Sequence, residues 1–169
     1  MLTGSLKRII WLFPVVFLIH DTEELVFIES WLKNYGGALS EKVDFGGFLL
    51  NKMVWTTPRF AIAVAVLFAL ICLVCYHATR PNATAKDRKW FVIAVTALFL
   101  NVFTHLAQAV LFQSYTPGVA TAVAVILPYT LYVYGRLRKE GWVSAAFVRS
   151  IWSVAGIIMA LSIVGTAVF

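Results

Sequence analysis

The chain has 169 residues, of which 61% are hydrophobic and only 13% carry a charge, and its mean hydropathy is +0.85. A soluble domain carries about 25% charged residues, so this composition excludes an ordinary soluble protein and predicts an all-α polytopic membrane protein. The net charge of +6 does not indicate nucleic-acid binding, because the basic residues lie beside the apolar segments, where membrane topology places them.

Five apolar segments are long enough to cross the hydrocarbon core of a bilayer, which takes about 20 helical residues. No long linker separates them, so the chain is predicted to form a single domain of five transmembrane helices. The fourth segment is the shortest, and Pro128 in its middle predicts a kink. The predicted spans are residues 9–32, 60–78, 89–112, 119–135 and 148–169.

The distribution of Lys and Arg predicts the orientation of these spans. Ten of the 14 basic residues fall on one side of the membrane and four on the other, and basic loops stay in the cytoplasm. The N-terminus is therefore predicted to lie in the cytoplasm and the C-terminus outside. The protein is predicted to reside in the inner or plasma membrane of a cell. The longest outer segment, residues 33–59, is predicted to be an interfacial loop, in which a short amphipathic helix could lie on the membrane.

A group of polar residues interrupts the first predicted span. Residues 20–24 read His-Asp-Thr-Glu-Glu between two apolar runs. A carboxylate at bilayer depth costs roughly 2.5–3.5 kcal/mol, so such groups usually face a partner, a cavity or a metal. At about 100° per residue, His20, Glu23 and Glu24 share one face of the helix, and Asp21 lies at its margin.

The third predicted span carries a matching polar stripe. Four polar residues lie on one helical face, at positions i, i+3, i+4 and i+7: Asn101, Thr104, His105 and Gln108. Counted from the cytoplasmic charges at about 1.5 Å per residue, His20 is level with Asn101 and Glu24 is level with His105. Both spans run in the same direction, so we expect the two stripes to face each other in the outer half of the bilayer.

A short turn motif follows the third span. Residues 115–118 read Tyr-Thr-Pro-Gly, and Pro117 and Gly118 are expected to be the central pair of a turn at the outer mouth. Together with the His-x-x-Glu-Glu sequence at residues 20–24 and with His105, this motif resembles the pattern of the HXXEE family, whose members are regarded as integral membrane proteins. The resemblance spans most of the chain and indicates these residues as candidate site residues, but it implies no particular reaction.

The first functional hypothesis is a metal site. His20 and Glu24 stand at i and i+4 and can bind one ion from one helical face, and His105 would be the third ligand. The ion would be a divalent metal, zinc or iron, with Glu23 as the general base for a bound water. Three further residues would orient the ligands through hydrogen bonds: Asn101, Gln108 and Tyr115.

Three other hypotheses use the same residues. As catalytic acids and bases, His20, Glu23, Glu24 and His105 could move a proton within a lipid-like or small apolar substrate from the bilayer, without a metal. They could instead form a proton or cation relay in a small transporter, which would require a homo-oligomer. They could also simply hold two helices in register, although such contacts are worth only about 0.6 kcal/mol on average. A membrane-embedded enzyme is the favoured interpretation.

Overall fold

The computed structural model describes residues 4–42 and 57–168, and this part of the chain is helical apart from short connections. The helices lie close to the five predicted spans, which confirms the all-α prediction. Their bounds are α1 (Gly4–Lys42), α2 (Thr57–Thr79), α3 (Ala85–Phe112), α4 (Val119–Lys139) and α5 (Ala145–Val168).

Four of these helices, α2 to α5, are long and apolar enough to cross a membrane. α1 has 39 residues, roughly 58 Å of helix, but it is not among these four and carries acidic residues in its middle. Length and composition therefore indicate a helical membrane protein.

α1 continues past the predicted end of the first span. The segment after Leu32 reads Lys-Asn-Tyr-Gly-Gly, yet the helix runs through Lys42. A glycine costs a helix about 1 kcal/mol relative to alanine, so two glycines weaken the helix without ending it. The prediction of a loop is therefore wrong for residues 33–42, and also for residues 57–59, which belong to α2. Residues 43–56 lie outside the described part of the chain.

α1 and α3 run in the same direction through the bundle. Phe13 contacts Phe91 near the start of both helices, and Glu24 contacts His105 further along both. The polar stripes of the two helices therefore meet, as their equal depths predicted. α2 and α4 pack against both α1 and α3, and α5 packs against α3. Near these contacts the core consists of almost fully buried apolar side chains: Leu6, Ile10, Phe13, Phe91, Val95 and Phe99.

Pro14 interrupts the backbone hydrogen bonding of α1 inside the bundle. Proline has no N–H, so the carbonyl four residues earlier, that of Ile10, loses its helical partner. The thiol of Cys75 in α2 donates a hydrogen bond to this carbonyl at 3.4 Å, and the hydroxyl of Tyr129 in α4 donates to the carbonyl of Ile9 at 3.1 Å. Two neighbouring helices therefore stabilise α1 where its own hydrogen bonding is weakest.

α4 widens near its start. Residues Ala122–Ile126 form a π-helical turn, and Pro128 follows two residues later. Because Pro128 cannot donate to the carbonyl of Ala124, a regular α-helix cannot close at this point. The distortion predicted at Pro128 takes the form of this wider turn, which begins directly after Thr121.

Candidate functional site

Three side chains from α1 and α3 converge inside the bundle. Glu24 Oε1 lies 3.1 Å from His105 Nε2 and 3.6 Å from His20 Nε2, and one ligand atom from each of the three residues lies within 4.8 Å of the others. The imidazole rings are nearly perpendicular, at 82°, with centroids 4.8 Å apart. Both histidines are buried and Glu24 is half-buried. We call these three residues the His/Glu cluster.

A hydrogen bond from α4 fixes the tautomer of His20. The hydroxyl of Thr121 donates to the carboxylate of Glu23, so its oxygen is left to accept the proton on His20 Nδ1, 3.0 Å away. His20 Nε2 is therefore unprotonated in the neutral ring, and its lone pair points into the His/Glu cluster. An outer hydrogen bond of this kind is typical of a metal-binding histidine.

Asn101 lies between the two histidines. The Thr104 hydroxyl donates to the backbone carbonyl of Asn101 at 2.8 Å and lies 3.1 Å from its Oδ1, and the side-chain amide nitrogen of Asn101 faces the rings. That nitrogen lies 3.2 Å from His20 Nε2 and 3.0 Å from His105 Nε2 and can donate one N–H to each. Both Nε2 atoms are then acceptors. His105 Nδ1, in contrast, is buried and has no hydrogen-bond partner among the described residues.

The cluster has the donor set and spacing of a cation site. Nε2 of His20, Nε2 of His105 and Oε1 of Glu24 each carry a lone pair, and a cation could take the place of the Asn101 amide that contacts the two nitrogens. Zinc holds nitrogen and oxygen ligands at roughly 2.0–2.1 Å, so neighbouring ligands of a tetrahedral ion lie about 3.3 Å apart. Two of the three separations, 3.1 and 3.6 Å from Glu24 Oε1, bracket that value, and the third, between the histidines, is at most 4.8 Å. Imidazole and carboxylate ligands suit zinc or iron.

The Tyr-Thr-Pro-Gly motif forms the predicted turn beside this cluster. The N–H of Val119 donates to the carbonyl of Thr116 at 3.1 Å, which makes Pro117 and Gly118 the central pair. Gly118 has φ +85° and ψ −14°, the conformation of the third residue of a type II turn. The turn prediction is therefore confirmed.

Gly118 also packs directly against the His/Glu cluster. A Cβ atom added at this position would lie 2.8 Å from Cε1 of His20, 2.8 Å from Cε1 of His105 and 3.0 Å from Cγ of Glu24. These distances are shorter than van der Waals contact, and the positive φ disfavours any L side chain. Glycine is therefore required here by its backbone conformation and by the close approach of the turn to the cluster.

Glu23 faces α4 rather than the His/Glu cluster. Its carboxylate accepts hydrogen bonds from the backbone N–H groups of Ala120 at 3.2 Å and Thr121 at 2.7 Å, and from the hydroxyls of Tyr115 and Thr121. The first N–H groups of a helix have no partner within the helix, so this carboxylate caps α4. Glu23 therefore contacts the cluster only indirectly, through the Thr121 hydroxyl and His20. A general base would have to reach a metal-bound water directly.

The other predicted orienting residues have different positions. Asn101 touches both histidines, whereas Tyr115 reaches the cluster only through Glu23. Desolvation raises the pKa of the Tyr115 hydroxyl, and its hydrogen bond to Glu23 raises it further, so this tyrosine stays protonated and donates. Gln108 is exposed, and within the described ranges it makes no hydrogen bond to the cluster.

A cavity of about 490 Å³ lies beside the cluster, between α1, α2 and α3. His20, Asp21, Glu24 and Asn101 form its polar part. The remaining walls are apolar and include Phe13, Phe17, Leu67, Leu70, Val74 and Leu98. Leu67 and Leu70 are about half-exposed, at 49% and 51%, on the outer surface of the bundle. The cavity is therefore accessible from the side of the helix bundle.

Asp21 and Thr121 belong to this site although the sequence did not single them out. The helical wheel places Asp21 at the margin of the polar face, and that margin faces the cavity. Thr121 is an ordinary polar residue near the start of a predicted span. Its link to His20 depends on which helix packs beside α1, and nothing in its neighbouring sequence indicates that.

A family model described as "Protein of unknown function with HXXEE motif" matches residues 11–133 of the chain. The match covers more than two thirds of the sequence and includes every residue of the His/Glu cluster. The chain belongs to the HXXEE family. The resemblance inferred from the sequence motifs is thus confirmed. Comparison with curated proteins and with solved structures gives no match.

The residues that give the HXXEE motif its name have distinct positions in this protein. His20 and Glu24 contribute to the cluster, and Glu23 caps α4. The region matched by the HXXEE model ends at residue 133, within α4, so α5 lies outside it. The motif therefore has two roles on one helix: His20 and Glu24 belong to the cluster, and Glu23 caps the helix whose Thr121 contacts His20.

Proposed function

We propose that this protein is a membrane-embedded enzyme that holds a divalent metal ion at the His/Glu cluster and acts on a lipid-like or small apolar substrate. One observation carries the proposal: three lone-pair atoms converge at the polar part of an apolar cavity. A structural metal site is closed by four protein ligands, whereas a catalytic site has three and leaves a position open. Here the cluster offers three ligands, two of which line the cavity.

The proposal makes α1 a fifth membrane span. Its acidic residues are tolerable at bilayer depth because they have partners within the bundle: Glu24 faces the two histidines, and Glu23 caps α4. The excess of basic residues near the N-terminus and in alternate loops supports a cytoplasmic N-terminus and an outer C-terminus in the inner or plasma membrane. The cluster then lies in the outer half of the bilayer.

The residues of the chain would divide the chemistry between them. His20, His105 and Glu24 hold the ion, which would polarise a water molecule or a substrate oxygen. Thr121 fixes the ring of His20, and Glu23 fixes Thr121. The apolar walls of the cavity admit an apolar substrate from the side and limit access of bulk water.

The alternatives fit these contacts less well. A purely structural contact between helices needs no adjoining cavity, whereas two residues of this cluster line an apolar one. A proton or cation relay needs polar groups along its path, and the cavity away from the cluster is lined by apolar residues such as Phe13 and Val74. These two observations favour an enzyme.

Metal content and lipid composition together test the proposal. Protein purified in detergent without added metal is expected to contain about one equivalent of zinc or iron, measured by elemental mass spectrometry. Glu24→Gln should lose the metal and change the lipid profile of the native host, measured by mass spectrometry of lipid extracts. Wild-type protein without metal would end the metal proposal. A Glu24→Gln variant that changes only thermal stability would indicate a structural role.

Removing the Thr121 hydroxyl is expected to weaken metal binding without abolishing it. Thr121→Val deletes the acceptor for His20 Nδ1, and loss of such an outer hydrogen bond typically lowers metal affinity by roughly 10–100-fold. Thr130→Val is the matched control, because the Thr130 hydroxyl donates only to backbone carbonyls of its own helix. Metal titration of both variants checks the prediction, and equal affinities for the two would contradict it.

A further inference from the structure

Asp21 is a buried acidic residue that the proposed metal site does not use. Its side chain is only 6% exposed, it lines the cavity, and its Oδ2 has no hydrogen-bond partner in the part of the chain that the structure describes. Most buried polar atoms in native proteins have a partner, because leaving one unsatisfied is unfavourable. A hydrogen-bond donor from a bound molecule would supply the missing partner.

The charges around the cavity restrict what that molecule can be. Among the described residues, those that line the cavity include two carboxylates, Asp21 and Glu24, and no lysine or arginine. In the proposed function Glu24 binds the metal, which leaves Asp21 without a cationic partner among the described residues of the cavity. An anionic head group would be repelled by the Asp21 carboxylate. A cationic donor forms the stronger, charge-assisted hydrogen bond with a carboxylate.

The shape of the cavity restricts the rest of the molecule. From Asp21 to Phe13 the cavity follows α1 for about 12 Å, and its walls there are apolar. A volume of about 490 Å³ falls in the range of roughly 300–1,000 Å³ that is usual for small-molecule sites. The half-exposed Leu67 and Leu70 allow an apolar chain to enter from the surrounding lipid. The space suits one flexible hydrocarbon chain.

We propose that the cavity binds a single-chain amphiphile with a primary amine head group. The amine donates to Asp21 Oδ2, and the hydrocarbon chain lies toward Phe13. The proposal of a binding site for such an amine depends only on Asp21 and the cavity. The assignment of long-chain amines as the substrate class depends, in addition, on the proposed metal enzyme. The head group of the amine would lie beside the ligands His20 and Glu24, which line the same part of the cavity.

Photo-crosslinking tests this proposal directly. A sixteen-carbon primary amine with a diazirine on its chain is added to the purified full-length protein in detergent, and labelled peptides are identified by mass spectrometry. We expect labelling at cavity residues such as Leu67, Leu70 and Val74. Unlabelled hexadecylamine should compete, hexadecanol should compete less, and hexadecanoic acid should not compete. Competition by the acid that equals competition by the amine would overturn the proposal.

Variants of Asp21 give the second arm of the test. Asp21→Asn and Asp21→Leu are expected to reduce cavity labelling by roughly 10–100-fold, because a charged hydrogen bond is lost. Glu140→Gln removes a carboxylate outside the cavity and should label like the wild type. Undiminished labelling in Asp21→Asn would overturn the proposal.

Metal content is measured on the same samples, and it separates this proposal from the proposed function. If the protein contains metal and its labelling is unchanged by substitution of Asp21, only the amine site is refuted. Metal-free protein with Asp21-dependent labelling refutes only the metal enzyme.

Discussion

His105→Ala is expected to abolish metal binding at the proposed site, and His20→Ala should do the same. Each change leaves the ion with two ligands from the chain, one of them the half-buried Glu24. Removal of a residue that merely orients a ligand costs roughly 10–100-fold in metal affinity, so removal of a ligand itself should cost more than about 100-fold. Elemental analysis and metal titration measure this loss.

The third histidine of the chain provides a matched control. His77 lies near the end of α2, where its Nδ1 is 3.7 Å from Asp87, and it does not contribute to the cluster. His77→Ala should therefore bind metal like the wild type. A protein that keeps its metal after loss of His105, or that loses it with His77, would show that the ion binds elsewhere.

The equal depth of the two polar stripes was predictable because helix geometry is regular. His20 and Glu24 are four residues apart, and so are Asn101 and His105. A fixed rise per residue brings both pairs together once two helices run in the same direction. The contacts of His20 with Asn101 and of Glu24 with His105 follow from this matching alone.

The separate roles of Glu23 and Glu24 could not be predicted in the same way. The two residues are chemically identical and differ by one step of about 100° around the helix. That step turns Glu24 toward α3 and Glu23 toward the start of α4. The sequence gives the angle between them, but the position of α4 around α1 depends on tertiary packing. The same reason explains why Thr121 and Asp21 were not identified.

Gly118→Ala is expected to disrupt the cluster and the fold around it together. The backbone at φ +85° costs an L residue roughly 1–2 kcal/mol. In addition, the new methyl group would lie 2.8 Å from a ring carbon of His20 and of His105, so both rings must move. Because Cε1 is bonded to Nε2 in each ring, this movement displaces two of the three proposed ligand atoms. We therefore expect loss of bound metal and a lower unfolding temperature in detergent.

Three further glycine variants separate these causes. Gly135 and Gly156 lie within helices, and an added Cβ at either position meets nothing within 4 Å, so alanine there should retain the metal and stabilise the protein by up to about 1 kcal/mol. Gly118→Asn tests the clash alone, since asparagine tolerates positive φ better than alanine does but still carries a Cβ. If the contact of the added Cβ with the histidines is the main cause, Gly118→Asn should be more stable than Gly118→Ala and should still lack metal. If it regains the metal as well, backbone strain alone explains the requirement for glycine, and the close approach of the turn to the imidazoles is not essential for the site.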